Sequence, residues 1–222
     1  MPAATPTAWA LVPVKSFAAA KSRLEGLLTR DECARLAEEM ARDVLMALHA
    51  APDITGIAIL GDEPRLAPIA AATGATLHAE LPGEDYRDAL GRVARELTAR
   101  GARHLLVVPA DLPTLSAGDV QSLLKGHQGG ISLCAASADG GTNALLLSPP
   151  TAIPFLYGPD SAARHRAAAQ SAGLPLREVS IPGFARDVDS PEDLQWLLGQ
   201  KIACATRAWL VAGGVAGRLK PG

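Results

Sequence analysis

Residues 104–125, H-L-L-V-V-P-A-D-L-P-T-L-S-A-G-D-V-Q-S-L-L-K, contain in order a mostly apolar run, a short turn and the start of a helix. The run 104–108 is typical of a buried β-strand. Asp111 follows it between two prolines, which restrict the backbone of the turn. Ser116 and Asp119 have the spacing that caps the first turn of a helix. This stretch therefore predicts a strand–turn–helix unit that carries one carboxylate at the carboxyl end of its strand.

The same alternation of strand and helix patterns covers most of the chain. Strands are predicted at residues 9–14, 57–60, 76–78, 104–108, 131–135, 144–147 and 176–181. Helices are predicted after the capping box Thr29–Glu32 and at 63–72, 85–99, 116–125, 161–172 and 190–198. Such alternation is typical of an α/β fold with a mainly parallel sheet, in which ligands bind beyond the carboxyl ends of the strands. Lys15, Gly61–Asp62 and Asp111 follow three of these strands, so we expect them on one rim of the sheet.

The composition narrows the class of protein. The chain has 222 residues, of which 48% are hydrophobic, and its formal net charge is -2, so no nucleic-acid partner is expected. Cys33, Cys134 and Cys204 lie far apart, which argues against a zinc site and against disulfides. The first residues lack the layout of a signal peptide, and no apolar run is long enough to cross a bilayer. We therefore expect a cytoplasmic protein with no membrane partner.

The alternating pattern stops near the C-terminus. We predict one domain over residues 1–202 and interpret residues 203–222 as a flexible extension, packed in part by Trp209 and Leu210. The alternative is that this extension docks on another subunit of a homo-oligomer.

Acidic residues form the first set of candidates for chemistry. Asp187 and Asp189 are two residues apart, so in an extended segment their side chains project to the same side. Together with Asp111 they would suit a magnesium ion, which prefers carboxylate and phosphate oxygens. The alternatives are that Asp111 caps a turn, and that Asp189 or Ser190 caps the helix starting at Pro191 while the other aspartate is a solvated charge.

Basic residues follow the first predicted strand. Lys15, Lys21 and Arg23 lie in one glycine-free segment, which excludes a Walker A loop and a dinucleotide fingerprint. Three cations in one loop suit a polyphosphate, since lysine acts as a point charge and arginine as a fork. The alternative is a solvated basic stretch.

Two neutral turns complete the candidates. Residues 139–144, D-G-G-T-N-A, combine two glycines with the polar side chains of Thr142 and Asn143, which suits either ligand binding or a hairpin turn. The turn that begins at Gly158 leads into a helix for which Ser161 is the predicted N-cap, and free amides at such a helix start attract anions. We expect His165 on the surface of that helix.

The motifs together resemble a known family, the phosphoenolpyruvate and 2-phospholactate guanylyltransferases of coenzyme F-420 biosynthesis. The resemblance covers roughly residues 8–198. It rests on V-P-V-K-S-F-A-A-A-K-S-R-L (12–24), P-A-D-L-P (109–113), D-G-G-T-N-A-L-L-L (139–147), G-P-D-S-A-A-R-H (158–165) and D-V-D-S-P-E-D-L (187–194). It implies a Rossmann-like nucleotidyltransferase fold, with a mixed and mostly parallel sheet flanked by helices.

The resemblance also implies a reaction and a set of roles. GMP is transferred from GTP to a small phosphorylated carboxylic acid, and pyrophosphate is released. The implied ligands of two Mg²⁺ ions are Asp111, Asp187 and Asp189. The implied triphosphate-binding residues are Lys15, Lys21 and Arg23, which with Asp111 form the catalytic set. The implied binding residues for the acceptor are Thr142, Asn143, Gly158 and Ser161.

Two departures from the family pattern leave the substrates open. Arg87 stands where the family has an asparagine near the base, which affects nucleotide choice. Asp160 and Ala162 replace a glycine and an aromatic residue of the acceptor turn, so phosphoenolpyruvate, 2-phospholactate and 3-phosphoglycerate all remain candidates. A nucleotidyltransferase with another phosphorylated acceptor, or a non-catalytic nucleotide-binding module, is the alternative.

Overall fold

The computed structural model of the chain describes residues 7–17, 20–137 and 140–219. Its strands are β1 (Ala8–Pro13), β2 (Ile54–Leu60), β3 (Thr76–His78), β4 (Leu105–Val107), β5 (Gly130–Ala135), β6 (Thr142–Ser148) and β7 (Leu176–Glu178). Its α-helices are α1 (Arg30–His49), α2 (Leu66–Thr73), α3 (Tyr86–Ala99), α4 (Ala117–Lys125), α5 (Ser161–Ser171), α6 (Pro182–Ala185), α7 (Pro191–Gly199) and α8 (Ala205–Ala212). Every predicted strand and helix has a counterpart, whereas the sequence pattern does not predict α6 and α8.

The strands form one sheet in the order β3-β2-β1-β4-β6-β5-β7. Strand β6 is antiparallel to both of its neighbours, β4 and β5, and the other neighbouring pairs are parallel. The prediction of an α/β fold with a mixed, mostly parallel sheet is confirmed. The strand order reverses at β1, which lies between β2 and β4, and α/β sheets bind their ligands in the crevice at such a reversal.

Local sequence signals explain where several helices begin. The Thr29 hydroxyl accepts a hydrogen bond from the Glu32 amide at 3.2 Å, and the Glu32 carboxylate accepts one from the Thr29 amide at 2.8 Å. Helices α4 and α7 begin with the same reciprocal arrangement, at Ser116 and Ser190. These predicted helix starts are confirmed. Each box stabilises the start of its helix, because it satisfies backbone donors that the helix itself leaves free.

Helices cover both faces of the sheet. Along β1 the side chains alternate, so that Val12 packs with α1, α2 and α4 on one face while Leu11 packs with α3 and α5 on the other. Both residues are fully buried. Because successive side chains of a strand point to opposite faces, the sheet divides the core into two apolar layers, as expected for a sheet that is buried on both sides.

A third apolar cluster lies between α1 and the C-terminal helices. Leu210 of α8 is fully buried there, beside Leu36 and Met40 of α1. The Asp43 carboxylate of α1 accepts hydrogen bonds from the amides of Ala205 (2.7 Å) and Thr206 (2.9 Å) at the start of α8. The segment interpreted as a flexible extension is therefore, through residue 219, a helix and a turn packed against α1.

The remaining findings concern the predicted class of protein. Cys33, Cys134 and Cys204 are free thiols. Among the described residues, none of the helices has the length and apolar character needed to span a membrane.

Candidate active site

A cleft of about 360 Å³ opens above the carboxyl ends of β1 and β4, at the reversal of strand order. Its walls come from the end of β1 and the segment after it, the turn after β4, one face of α1, the first turn of α3 and the segment that precedes α7. The described residues that line it include Lys15, Ser16, Phe17, Lys21, Tyr86, Pro109, Asp111 and Asp189. Gly61–Asp62, expected on the same rim, follows β2, and Asp62 is exposed.

Two segments distant in sequence bring the aspartates together. Asp111 lies in the turn after β4, and its carbonyl accepts a hydrogen bond of 3.1 Å from the amide of Val188. Val188 is fully buried, so Asp187 and Asp189 on either side of it are held next to the turn. Oxygen atoms of the three carboxylates lie within 4.8 Å of one another.

This cluster has the donor set of a divalent metal site. Two oxygens on opposite sides of a bound Mg²⁺ are about 4.2 Å apart, so small side-chain shifts would bring all three carboxylates onto one ion. Burial, and next the charge of Asp111, raises the pKa of Asp187. A bound cation would relieve the repulsion behind that second effect. Asp111, Asp187 and Asp189 therefore fit a metal.

Lys21 supplies a positive charge to the same cluster. Its ammonium donates a hydrogen bond of 3.0 Å to Asp111 Oδ2 and a second one to Asp189 Oδ1, and only 7% of its side chain is exposed. Burial alone would lower the pKa of Lys21, but the two carboxylates together raise it above its ordinary value. The backbone at this residue is left-handed, with φ of 60°.

The two other predicted cations differ in position. Lys15 lines the cleft, with its ammonium 5.5 Å from the centre of the Tyr86 ring. Arg23 lies in a short 3-10 helix, Ser22–Leu24, and is exposed; it is not among the described residues that line the cleft. The structure thus brings Lys15 and Lys21 together and leaves Arg23 outside.

Thr142 and Ser161 are joined to each other inside the protein. Ser161 Oγ donates to Thr142 Oγ1 at 3.0 Å, and Thr142 Oγ1 also contacts His165 Nδ1 at 3.1 Å. The Nε2 atom of His165 accepts a hydrogen bond from the Leu156 amide, so the proton of the neutral ring is on Nδ1. All three polar side chains are buried, and burial lowers the pKa of His165 to about 4.

Two expectations about α5 are therefore wrong. His165 does not lie on the surface, because it is the internal partner of Thr142 and of the 156 amide. Ser161 is not the N-cap: Asp160 holds that position, in a left-handed conformation with φ of 53° and without a side-chain capping bond. The assignment of Thr142 and Ser161 to substrate binding stays a prediction, because both side chains are buried and bonded to each other.

The first neutral turn leads to a contact with the acidic cluster. Asn143 is buried and its side-chain amide faces Asp187 Oδ1 at 3.5 Å. The segment before it connects β5 to β6 as a hairpin, closed by a hydrogen bond from the Ala136 amide to the Gly141 carbonyl. Asp139, which the sequence motif includes, lies outside the described residues.

Sequence reasoning missed residues that support these turns. Gly158 has a φ of 118°, which favours glycine, and the Arg164 guanidinium donates to the neighbouring Pro159 carbonyl at 2.6 Å. Tyr157 packs edge-on against Tyr86, with ring centres 6.2 Å apart. These are the two tyrosines of the chain, and their rarity is the sequence signal that could have drawn attention to them.

Arg87 does not reach the cleft that contains the aspartates. Its side chain is exposed and forms an ion pair with Asp85, the N-cap of α3, at 2.9 Å. It lines a separate cleft between α3 and residues 151–155. Its neighbour Tyr86 points into the main cleft instead.

Comparison with known proteins places the chain in a family. The family model of CofC-like guanylyl transferases matches residues 8–212. A phosphoenolpyruvate guanylyltransferase of Sphaerobacter thermophilus is 40% identical over 194 residues, covering 87% of this chain and 93% of that protein. A 3-phospho-D-glycerate guanylyltransferase of Colwellia psychrerythraea is 31% identical over 189 residues, covering 84% of this chain and 89% of that protein.

Solved structures agree on the fold. A protein from Desulfovibrio desulfuricans G20, named for nucleotide-diphospho-sugar transfer, has a TM-score of 0.80 at 18% identity and covers 98% of this chain and 100% of its own. A 4-diphosphocytidyl-2C-methyl-D-erythritol synthase has a TM-score of 0.59 at 12% identity, covering 86% of this chain and 96% of its own. The predicted nucleotidyltransferase fold is thereby confirmed. The match over residues 8–212 and the identity to curated relatives show that this chain belongs to the CofC-like guanylyl transferase family and is a nucleotidyltransferase.

Proposed function

We propose that the protein transfers GMP from GTP to phosphoenolpyruvate and releases pyrophosphate. The observation that carries this proposal is the cluster of Asp111, Asp187 and Asp189. Two of its members, Asp111 and Asp189, line one cleft with Lys15 and Lys21. Carboxylates for a metal beside lysines for phosphates are the groups that nucleotidyl transfer needs. The choice of acceptor follows the names of relatives that are 34–40% identical to this chain.

The chemical step requires no strong base. An oxygen of the acceptor's phosphate attacks the α-phosphorus of GTP, and the bond from that phosphorus to the oxygen bridging to the β-phosphate breaks. The bonding pair leaves with pyrophosphate. Because the attacking group is already an anion, catalysis consists of alignment and of neutralising the charge of two anionic substrates.

The residues divide this work. Asp111, Asp187 and Asp189 would hold two Mg²⁺ ions, which when bound neutralise charge on the attacking and leaving oxygens. Lys15 and Lys21 would contact the triphosphate from inside the cleft. A contact from Arg23, which is exposed and does not line the cleft, stays a prediction from the sequence.

The acceptor would lie on the other side of the aspartates. Asn143 is already next to Asp187 there. The backbone amides of the turn between Gly158 and Ser161 lead into α5 and would bind a carboxylate or phosphate. Thr142 would act by fixing that turn through its bond to Ser161. A role in coenzyme F-420 biosynthesis stays a prediction that rests on the sequence resemblance.

The direct test is a pyrophosphate-release assay on the purified protein with Mg²⁺. GTP would be paired in turn with phosphoenolpyruvate, 2-phospholactate and 3-phosphoglycerate, with ATP and CTP as controls for the nucleotide and EDTA as the control for metal. We expect release with GTP and phosphoenolpyruvate, and its loss in EDTA. Release with another acid would replace the acceptor, release with another nucleotide would overturn the choice of GTP, and no release in any combination would overturn the proposal.

A further inference from the structure

We propose that Lys21 is an exchangeable internal cation. In the free protein it neutralises Asp111 and Asp189, and when substrate arrives it moves to the nucleotide phosphates and frees the two carboxylates for metal. Metal and nucleotide binding would thereby be coupled. The metal half of this inference rests on the geometry of the acidic cluster, and the nucleotide half rests on the proposed function.

The contacts of Lys21 show what a metal must displace. Its Nζ is hydrogen-bonded to Asp111 Oδ2 at 3.0 Å and also to Asp189 Oδ1, so it lies between two of the three carboxylates. Those carboxylates belong to the set whose oxygens converge within 4.8 Å. A divalent ion held by the same three carboxylates would lie about 2.1 Å from their oxygens. An ammonium bonded to two of these carboxylates would repel that ion strongly, so we infer that metal entry displaces it.

The protein gives Lys21 an alternative position. The residue lines the same cleft as Lys15, and a lysine side chain is a point charge on a flexible stem that can change partner by rotation alone. Its backbone is held in place, because the Leu24 amide and the Cys33 thiol both bond to the Lys21 carbonyl. The side chain can therefore move while its anchor stays fixed, and a triphosphate in the cleft would be its second acceptor.

Coupling of this kind has a defined thermodynamic consequence. If Lys21 must leave the carboxylates before metal binds, then any ligand that accepts Lys21 strengthens metal binding, and metal strengthens binding of that ligand by the same factor. Such factors are typically about 5- to 150-fold. Removing the ammonium should therefore strengthen metal binding to the protein alone, although it weakens nucleotide binding.

The experiment titrates the protein alone with Mn²⁺ and measures free Mn²⁺ by electron paramagnetic resonance. Lys21→Met keeps a long side chain at a left-handed position but removes the charge. We expect the Kd for Mn²⁺ to fall at least about fivefold relative to the unsubstituted protein. Lys201→Met removes an exposed cation outside this cleft and should leave the Kd within about twofold.

A second titration follows a guanosine triphosphate analogue with an α,β-methylene bridge, in EDTA. Lys21→Met should weaken its binding about tenfold, as expected for the loss of one charged contact. Lys21→Arg keeps the cation and should retain the weak Mn²⁺ binding of the unsubstituted protein. If Lys21→Met does not fold, Lys21→Gln provides the same loss of charge.

The outcomes separate this inference from the proposed function. An equal or weaker affinity of Lys21→Met for Mn²⁺ would overturn the displacement, even in an enzyme that releases pyrophosphate. If Lys21→Met binds Mn²⁺ more tightly but binds the analogue unchanged, Lys21 affects metal binding alone, and the coupling to nucleotide is overturned. Stronger Mn²⁺ binding in a protein that releases no pyrophosphate would support the displacement while the choice of substrates fails.

Discussion

Replacing Asp111 with asparagine separates the two roles that this residue could have, as a metal ligand and as a cap of its turn. The substitution keeps the shape of the side chain. It also keeps the bond between the Asp111 carbonyl and the Val188 amide, which ties the turn to the other acidic segment. It removes one negative charge from a side chain that is 27% exposed.

The effect on stability should be small. Loss of the charge weakens the bond to Lys21, and bonds to charged groups contribute about 1.5–3 kcal/mol. The amide oxygen still accepts from Lys21, and repulsion among the three carboxylates falls. We therefore expect the free energy of unfolding to change by about 1 kcal/mol or less, which is about 2–4 °C in Tm for a chain of this size.

The effect on turnover should be large. An asparagine oxygen is a neutral and weaker ligand, and loss of one charged group that stabilises a transition state costs about 10²-fold or more in kcat. Thermal unfolding and pyrophosphate release would be measured on the same preparations. Asp62→Asn is the matched control, since Asp62 is an exposed carboxylate at the end of β2 on the same rim. A variant that keeps its turnover but loses several degrees of Tm would refute the metal-ligand role and make Asp111 a structural cap.

Three further predictions concern residues that do not line the cleft. Burial is the main cause that lowers the pKa values of His165 and His127 to about 4. Between pH 6.5 and 4 the unfolded chain therefore binds protons more readily than the folded protein. The contribution of each histidine to stability, at most about 3 kcal/mol, is complete above pH 6.5 and is lost as the pH falls. Urea unfolding at pH 7.5 and pH 5 should show this loss as a lower free energy of unfolding at pH 5. The difference between the two pH values should be smaller in His165→Gln, and an equal difference would contradict the prediction. Arg87→Asn should change the preference for GTP over ATP by about twofold or less, because an exposed ion pair with Asp85 contributes little; a larger change in the ratio of kcat/KM would place Arg87 at the base. Asp43→Ala should cost about 1–2 kcal/mol and speed hydrogen exchange in α8, whose first amides it caps; unchanged exchange would mean that apolar contacts alone hold α8.

Sequence patterns predicted the features that depend on neighbours in the chain. The capping boxes at Thr29, Ser116 and Ser190 place three helix starts, because donor and acceptor lie three residues apart. The same locality explains why Asp187 and Asp189 could be expected to act as a pair.

Features made by distant residues could not be predicted in this way. Thr142 and His165 are 23 residues apart, and Asp43 and Ala205 are 162 apart. No periodicity or cap records such a contact. His165 was therefore expected on a surface, and residues 203–222 were expected as a flexible extension packed only in part, by Trp209 and Leu210. In both cases a polar group of one element satisfies backbone or side-chain groups of another.

The direction of one strand decides how the two halves of the site meet. Strands β4 and β5 run the same way, and β6 between them runs in reverse, with Leu145 opposite Val107. Because of that reversal, the first residues of β6 lie at the edge where β4 ends, and Asn143 reaches Asp187 beside the turn that carries Asp111. A parallel β6 would place Thr142 and Asn143 at the opposite edge, away from the aspartates. Apolar periodicity is the same for both directions, so the sequence predicts the strand but not the contact. That contact joins the carboxylates proposed to bind metal to the turn proposed to bind the acceptor.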